Sequence, residues 1–135
     1  MATKRKKFYI TTAIDYVNGK PHVGHALEKI QADVLARYHR AKGDEVWFLT
    51  GTDEHGAKIA RAAEASGKDP QQYVDEYAEH FKSMRETLHL SWDDFIRTSD
   101  QERHWPGVQK LWRKLKEAGK LYKKSYRGFY CVGHE

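Results

Sequence analysis

An α/β fold built on a parallel sheet is predicted by three observations. Residues 8–14, Phe8-Tyr9-Ile10-Thr11-Thr12-Ala13-Ile14, are β-rich and mostly apolar, as suits a strand buried on both faces, and a helical pattern follows them. Val46-Trp47-Phe48-Leu49 repeats the same signal, and an alanine-rich stretch comes after it. Two successive strand–helix units imply parallel strands joined by right-handed crossovers.

The elements follow in order. Asn18-Gly19-Lys20-Pro21 breaks the first strand. From about His25, the apolar positions Leu27, Ile30, Val34 and Tyr38 recur at helical spacing until Gly43, which reads as a C-terminal cap. The second strand ends in Gly51-Thr52-Asp53-Glu54-His55-Gly56 before a helix over residues 57–65. Asp69 and Pro70 form an N-cap and a first helical residue, and Tyr73, Tyr77, Phe81, Met84 and Leu88 then trace one apolar face. Phe95-Ile96-Arg97-Thr98 is a short third strand. Ser99 and Glu102 have capping-box spacing and open a helix with the stripe Val108, Leu111, Trp112 and Leu115, ending at Gly119. Both aromatic stripes are expected in the core. Leu121-Tyr122 and Tyr126 to Cys131, with Gly128 between, read as a β-hairpin that begins something else. The organisation expected is a basic arm over 1–7, the main α/β unit over 8–120 and the start of an insertion over 121–135.

With 135 residues, 39% of them hydrophobic and 13% aromatic, the chain can bury a real core, so the mean hydropathy of −0.87 reflects surface charge rather than disorder. The 24 basic against 19 acidic residues suit a polyanionic partner such as RNA or ATP, but equally a solvated basic surface. Lys4-Arg5-Lys6-Lys7 has the same two readings. The single cysteine, Cys131, cannot form an internal disulfide, and no apolar stretch approaches the roughly 18 residues of a membrane span. No signal peptide is visible, and a cytoplasmic location is expected.

The chemistry concentrates at His22-Val23-Gly24-His25, between the first strand and the helix after it. A helix start carries unpaired N–H groups and the positive end of the dipole, both of which attract phosphate. Two imidazoles there can bond to phosphoryl oxygens, and Gly24, without a Cβ, allows a flat ring or a phosphate to approach the backbone. His39, His80, His89, His104 and His134 lack such a setting and read as surface or satisfied core residues. Asp53-Glu54-His55 is a poor metal cluster, because three successive residues seldom point at one ion.

Residues 10–25, from Ile10 through the His22-Val23-Gly24-His25 signature, resemble methionyl-tRNA synthetases, and so do Gln31-Ala32-Asp33-Val34-Leu35-Ala36-Arg37-Tyr38, Gly51-Thr52-Asp53-Glu54-His55-Gly56, Phe95-Ile96-Arg97-Thr98 and Tyr126-Arg127-Gly128-Phe129-Tyr130-Cys131. The resemblance is to the N-terminal part of the catalytic domain of these class I enzymes. It implies a Rossmann-type parallel sheet, the first half of a class I nucleotide-binding fold. It also implies activation of methionine with ATP and Mg2+ and transfer to tRNA(Met). By the same resemblance, His22 and His25 are the catalytic and ATP-binding histidines, Gly24 lies against adenine, Asp53 holds the methionine ammonium, and Ala13 and Ile14 floor the methionine pocket. Related synthetases often carry Cys-x-x-Cys where this chain has Cys131 and His134, so zinc is not expected here.

Lys-Met-Ser-Lys-Ser, the second ATP signature of such enzymes, does not occur in these residues. The chain therefore reads as a fragment with an unpaired sheet edge, completed by a C-terminal half and nearly inactive in aminoacylation by itself. Other class I synthetases, for isoleucine, leucine, valine or cysteine, share the His-x-Gly-His logic. A small adenylyltransferase and a catalytically silent RNA-binding module stay open as readings of a different class.

Overall fold

The computed structural model describes residues 5–131, which fold as β1 (Lys7–Tyr16), α1 (Val23–Ala41), β2 (Glu45–Asp53), α2 (Ala57–Ala65), α3 (Pro70–Thr87), β3 (Asp94–Arg97) and α4 (Trp105–Glu117). All strands pair in parallel in the order β1-β2-β3, the sheet that the strand–helix alternation predicts. β1 runs two residues past Ile14, and β2 continues through Gly51, Thr52 and Asp53. The apolar runs alone understate both strands, because their polar ends are paired: Asp15 lies opposite Thr52 and Tyr16 opposite Asp53.

The core lies between the sheet and the helices: Phe48, Ile59, Ala63, Tyr73, Phe81 and Trp92 are buried together. Asp69 caps α3 as predicted, its carboxylate accepting the Gln71 N–H at 2.9 Å, and Tyr73, Phe81 and Met84 are buried. Gly51 is required by close approach. A Cβ there would lie 2.1 Å from the Ile96 carbonyl oxygen of β3, too near for any side chain.

α1 buries Lys29, Ala32, Asp33 and Ala36, while Leu27, Ile30, Val34 and Tyr38 are exposed. Its small residues allow close packing, and Asp33 ties the loop before β3 to the helix by accepting from Ser91 N at 2.6 Å, while its other oxygen accepts from Arg37 Nε of the same helix at 2.6 Å. Three expectations need correction. First, no capping box forms at Ser99, and α4 starts only at Trp105. The Ser99 hydroxyl donates to Glu54 instead, and Asp100 takes the Glu102 and Arg103 N–H groups in a run of turns. Secondly, the stripe of α4 is not core, since no residue of that helix is buried and Trp112 is 60% exposed. Thirdly, residues 120–131 contain no strand, so the hairpin is absent there. Two short strands without a sheet to join are marginal in water.

Candidate functional site

The carboxyl ends of β1 and β2 and the start of α1 bring most of the candidate residues to one edge of the sheet. This is the place where open α/β sheets hold ligands. Ile14 pairs with Gly51, and Asp53 ends β2 opposite Tyr16. Asp15, between them, lies 3.9 Å from the Nε2 of His25 on α1.

His22 and His25 build the helix start themselves. His22 is the N-cap of α1, and its Nδ1 accepts the Gly24 N–H at 3.1 Å. In return His25 Nδ1 accepts the His22 N–H, also at 3.1 Å. This is a capping box with imidazoles in place of the usual hydroxyl and carboxylate, which explains the three-residue spacing. The rings stack with centroids 3.8 Å apart, and Phe81 meets His25 edge-on at 5.2 Å.

The pattern fixes the tautomers. An Nδ1 that accepts carries no hydrogen, so in the neutral ring Nε2 holds it and remains a donor. Burial pushes the His25 pKa below its ordinary value; Asp15 opposes the shift, while the neighbouring His22 and Lys29 add to it. His25 is therefore neutral near pH 7. Of the unpaired N–H groups expected at this helix start, that of Gly24 is already used, and the rings supply donors in its place. A Cβ on Gly24 would sit 3.0 Å from His22 Cε1, so this glycine also makes room for the His22 ring.

Asp53 is half-buried and loosely held: its Oδ1 accepts from Thr98 Oγ1 at 3.4 Å and from His55 N at 3.5 Å. Its neighbour differs. Glu54 is 4% exposed and receives Arg97 through Nε and a terminal nitrogen at 2.7 and 2.8 Å, together with the Thr52 and Ser99 hydroxyls. The Arg97 guanidinium, bonded to Glu54 and Asp75, has its pKa raised despite burial. Such a carboxylate has no capacity left for a ligand, whereas that of Asp53 has.

Ala13 and Ile14 are exposed at the sheet edge. An open groove of about 390 Å3 between α1 and α3 is lined by His22, Val23, Ala26, His80, Met84 and others. Neither Ala13 nor Asp53 borders it, so this groove does not join them to the histidine pair. His39 is satisfied, bonding Asp44 at 2.7 Å and stacking on Phe8. Cys131 is exposed, and His134 lies outside the described residues.

Sequence reasoning missed Lys29, which is 3% exposed beside Asp15 and Glu28. The available signal was its place one helical turn after His25.

Comparison with known proteins agrees with this geometry. The sequence profile of the family described as tRNA synthetases class I (M) matches residues 8–135. The methionine–tRNA ligase of Thermotoga maritima is 54% identical over 126 residues, 93% of this chain and 20% of the relative. That of Rhizobium meliloti is 52% identical over 128 residues, covering 95% and 25%. Mycobacterium tuberculosis methionyl-tRNA synthetase, solved in complex with methionyl-adenylate, superposes with a TM-score of 0.81 at 46% identity, over 84% of this chain and 22% of that one. The chain thus spans a fifth to a quarter of the length of the relatives it matches. With the sheet, the imidazole-capped helix and the profile in agreement, the chain belongs to the class I tRNA synthetases, in their methionyl family.

Proposed function

We propose that these residues form the N-terminal part of a catalytic domain that activates methionine with ATP and transfers it to tRNA(Met). The reading rests on the stacked His22–His25 pair, whose Nδ1 atoms close the helix start and whose Nε2–H groups are left to donate. Attack of the methionine carboxylate on the α-phosphorus forms a new P–O bond and expels pyrophosphate. Little covalent help is needed from protein, so the work is positioning and stabilisation of charge.

In this reading His22 and His25 donate to phosphoryl oxygens as charge moves onto the leaving pyrophosphate. Asp53, with accepting capacity to spare, holds the methionine ammonium. Ala13 and Ile14 line the floor under the side chain, and Gly24 leaves the adenine ring space at the helix start. Mg2+ would come bound by the triphosphate oxygens, whose charge it would offset. Among the described residues no group of three or more His, Cys, Asp or Glu is placed to hold an ion.

Methionine-dependent exchange of pyrophosphate into ATP, measured on the intact protein that carries this chain, tests the reading. Methionine is expected to support exchange far better than isoleucine, leucine, valine or cysteine. Exchange with another of these amino acids, or with none, overturns it.

A further inference from the structure

β1 is irregular at the point where it meets the site. Thr11 pairs with Leu49 and Ile14 with Gly51, so Thr12 and Ala13 face the single residue Thr50. An extra residue of this kind bends a strand and re-aims its side chains. The main chain of Ala13 turns to α1: its N–H donates to Glu28 Oε1 at 2.9 Å, and its carbonyl accepts from Lys29 Nζ at 3.2 Å as well as from Thr12 Oγ1 at 2.8 Å. Adjacent residues of one helix thereby reach both main-chain polar groups of Ala13.

Lys29 reaches further. Its Nζ lies 2.7 Å from Asp15 Oδ2 and 3.2 Å from Glu28 Oε2, in surroundings that leave the residue 3% exposed. The other oxygen of Asp15 lies 3.9 Å from His25 Nε2. Asp15 Oδ2 makes no hydrogen bond of good geometry, so its tie to Lys29 is ionic. Burying such a pair seldom adds stability over an apolar pair of equal volume, because desolvation offsets the attraction. What it does supply is a fixed arrangement of three neighbours around one ammonium.

We propose that Glu28 and Lys29 are positioning residues: they clamp the β1 bulge to the start of α1, so that Ala13 and Ile14 and the His25 ring keep one geometry. The clamp connects the amino-acid end of the cleft to the phosphate end, and it rests on the functional reading above for the identity of those ends. In this role neither residue needs to touch substrate. Their loss should act on methionine more than on ATP.

The test uses the intact protein. Lys29→Met strands the Asp15 carboxylate, so the Asp15→Asn/Lys29→Met double variant is the second probe, free of that buried charge. Glu28→Ala removes the acceptor for Ala13 N–H, and Glu28→Gln restores it. In pyrophosphate exchange, Glu28→Ala and the double variant are expected to raise methionine KM and lower kcat, each by about tenfold, as small misplacements do. ATP KM should stay within about twofold, and Glu28→Gln should recover most of the loss. Hydrogen exchange at the Ala13 amide should quicken by about tenfold in Glu28→Ala, with the Phe48 amide unchanged. Unchanged kinetics with unchanged Ala13 exchange, or a loss that Glu28→Gln fails to restore, would overturn the clamp. Should the wild-type protein show no methionine-dependent exchange, the functional reading falls, and the Ala13 amide alone decides whether the clamp exists.

Discussion

His25 Nδ1 accepts the backbone N–H of His22 at 3.1 Å while the two rings stack 3.8 Å apart. One nitrogen of each imidazole therefore serves the helix, and the other is left for chemistry. The two functions are separable by substitution.

Replacing either ring by alanine in the intact protein should lower kcat for pyrophosphate exchange by about 10² to 10³, from the loss of about 3 to 4 kcal/mol of transition-state stabilisation. Substrate KM should change much less. His22→Asn, which keeps a capping acceptor but no equivalent of Nε2–H, should retain the helix by circular dichroism and still lose the rate. An unchanged kcat in both alanine variants removes the rings from the mechanism.

For Asp53→Ala the proposed role gives a different signature, since a charge-assisted bond to the bound amino acid, worth about 1.5 to 3 kcal/mol, would be made before and during reaction. Methionine KM should rise by one to two orders of magnitude with kcat nearly constant. Steady-state titration of methionine at saturating ATP distinguishes this from a catalytic defect.

The lowered pKa of His25 sets a pH dependence. The unfolded imidazole titrates near about 6.5, the folded one below that, so between the two values the unfolded chain binds more protons and stability rises with pH. The contribution of neutral His25 is complete above about 6.5 and is lost as pH falls towards the folded value. Protonation at Nδ1 also ends acceptance of the His22 N–H. Thermal unfolding and exchange rate measured across this window should fall together on acidification, and His25→Asn should flatten the stability part of the curve.

Gly51→Ala should be among the most damaging single changes, because the new Cβ would lie 2.1 Å from the Ile96 carbonyl and both strands would have to move apart. A loss of about 3 kcal/mol or more is expected, the upper range for overpacking. Denaturant titration, with Gly19→Ala in open space as the control, checks it.

The 135-residue chain by itself should associate. Leu27, Ile30, Val34 and Tyr38 on α1 and Leu111 and Trp112 on α4 are exposed, and apolar helix faces left open in this way promote contact between copies. Sedimentation should show mass increasing with concentration, with binding of an apolar dye. A strictly monomeric chain that binds no dye would contradict this.

Local signals were enough for much of the molecule. Alternating strand and helix patterns predicted the parallel sheet, Asp69-Pro70 marked the start of α3, and the order of motifs pointed to the family, because each depends on residues near one another in sequence. Tertiary structure decided which way each helix turned. α1 and α4 carry apolar stripes that look equally fit for a core, yet packing chose Ala32 and Ala36 for burial in α1 and none of Val108, Leu111, Trp112 and Leu115 in α4. It also decided that Glu54 is consumed by Arg97 while Asp53 is not, and that Lys29 is buried against Asp15. Periodicity reports that a helix has an apolar side, but only the geometry of neighbouring elements determines which surface is removed from water and which charges must then find partners.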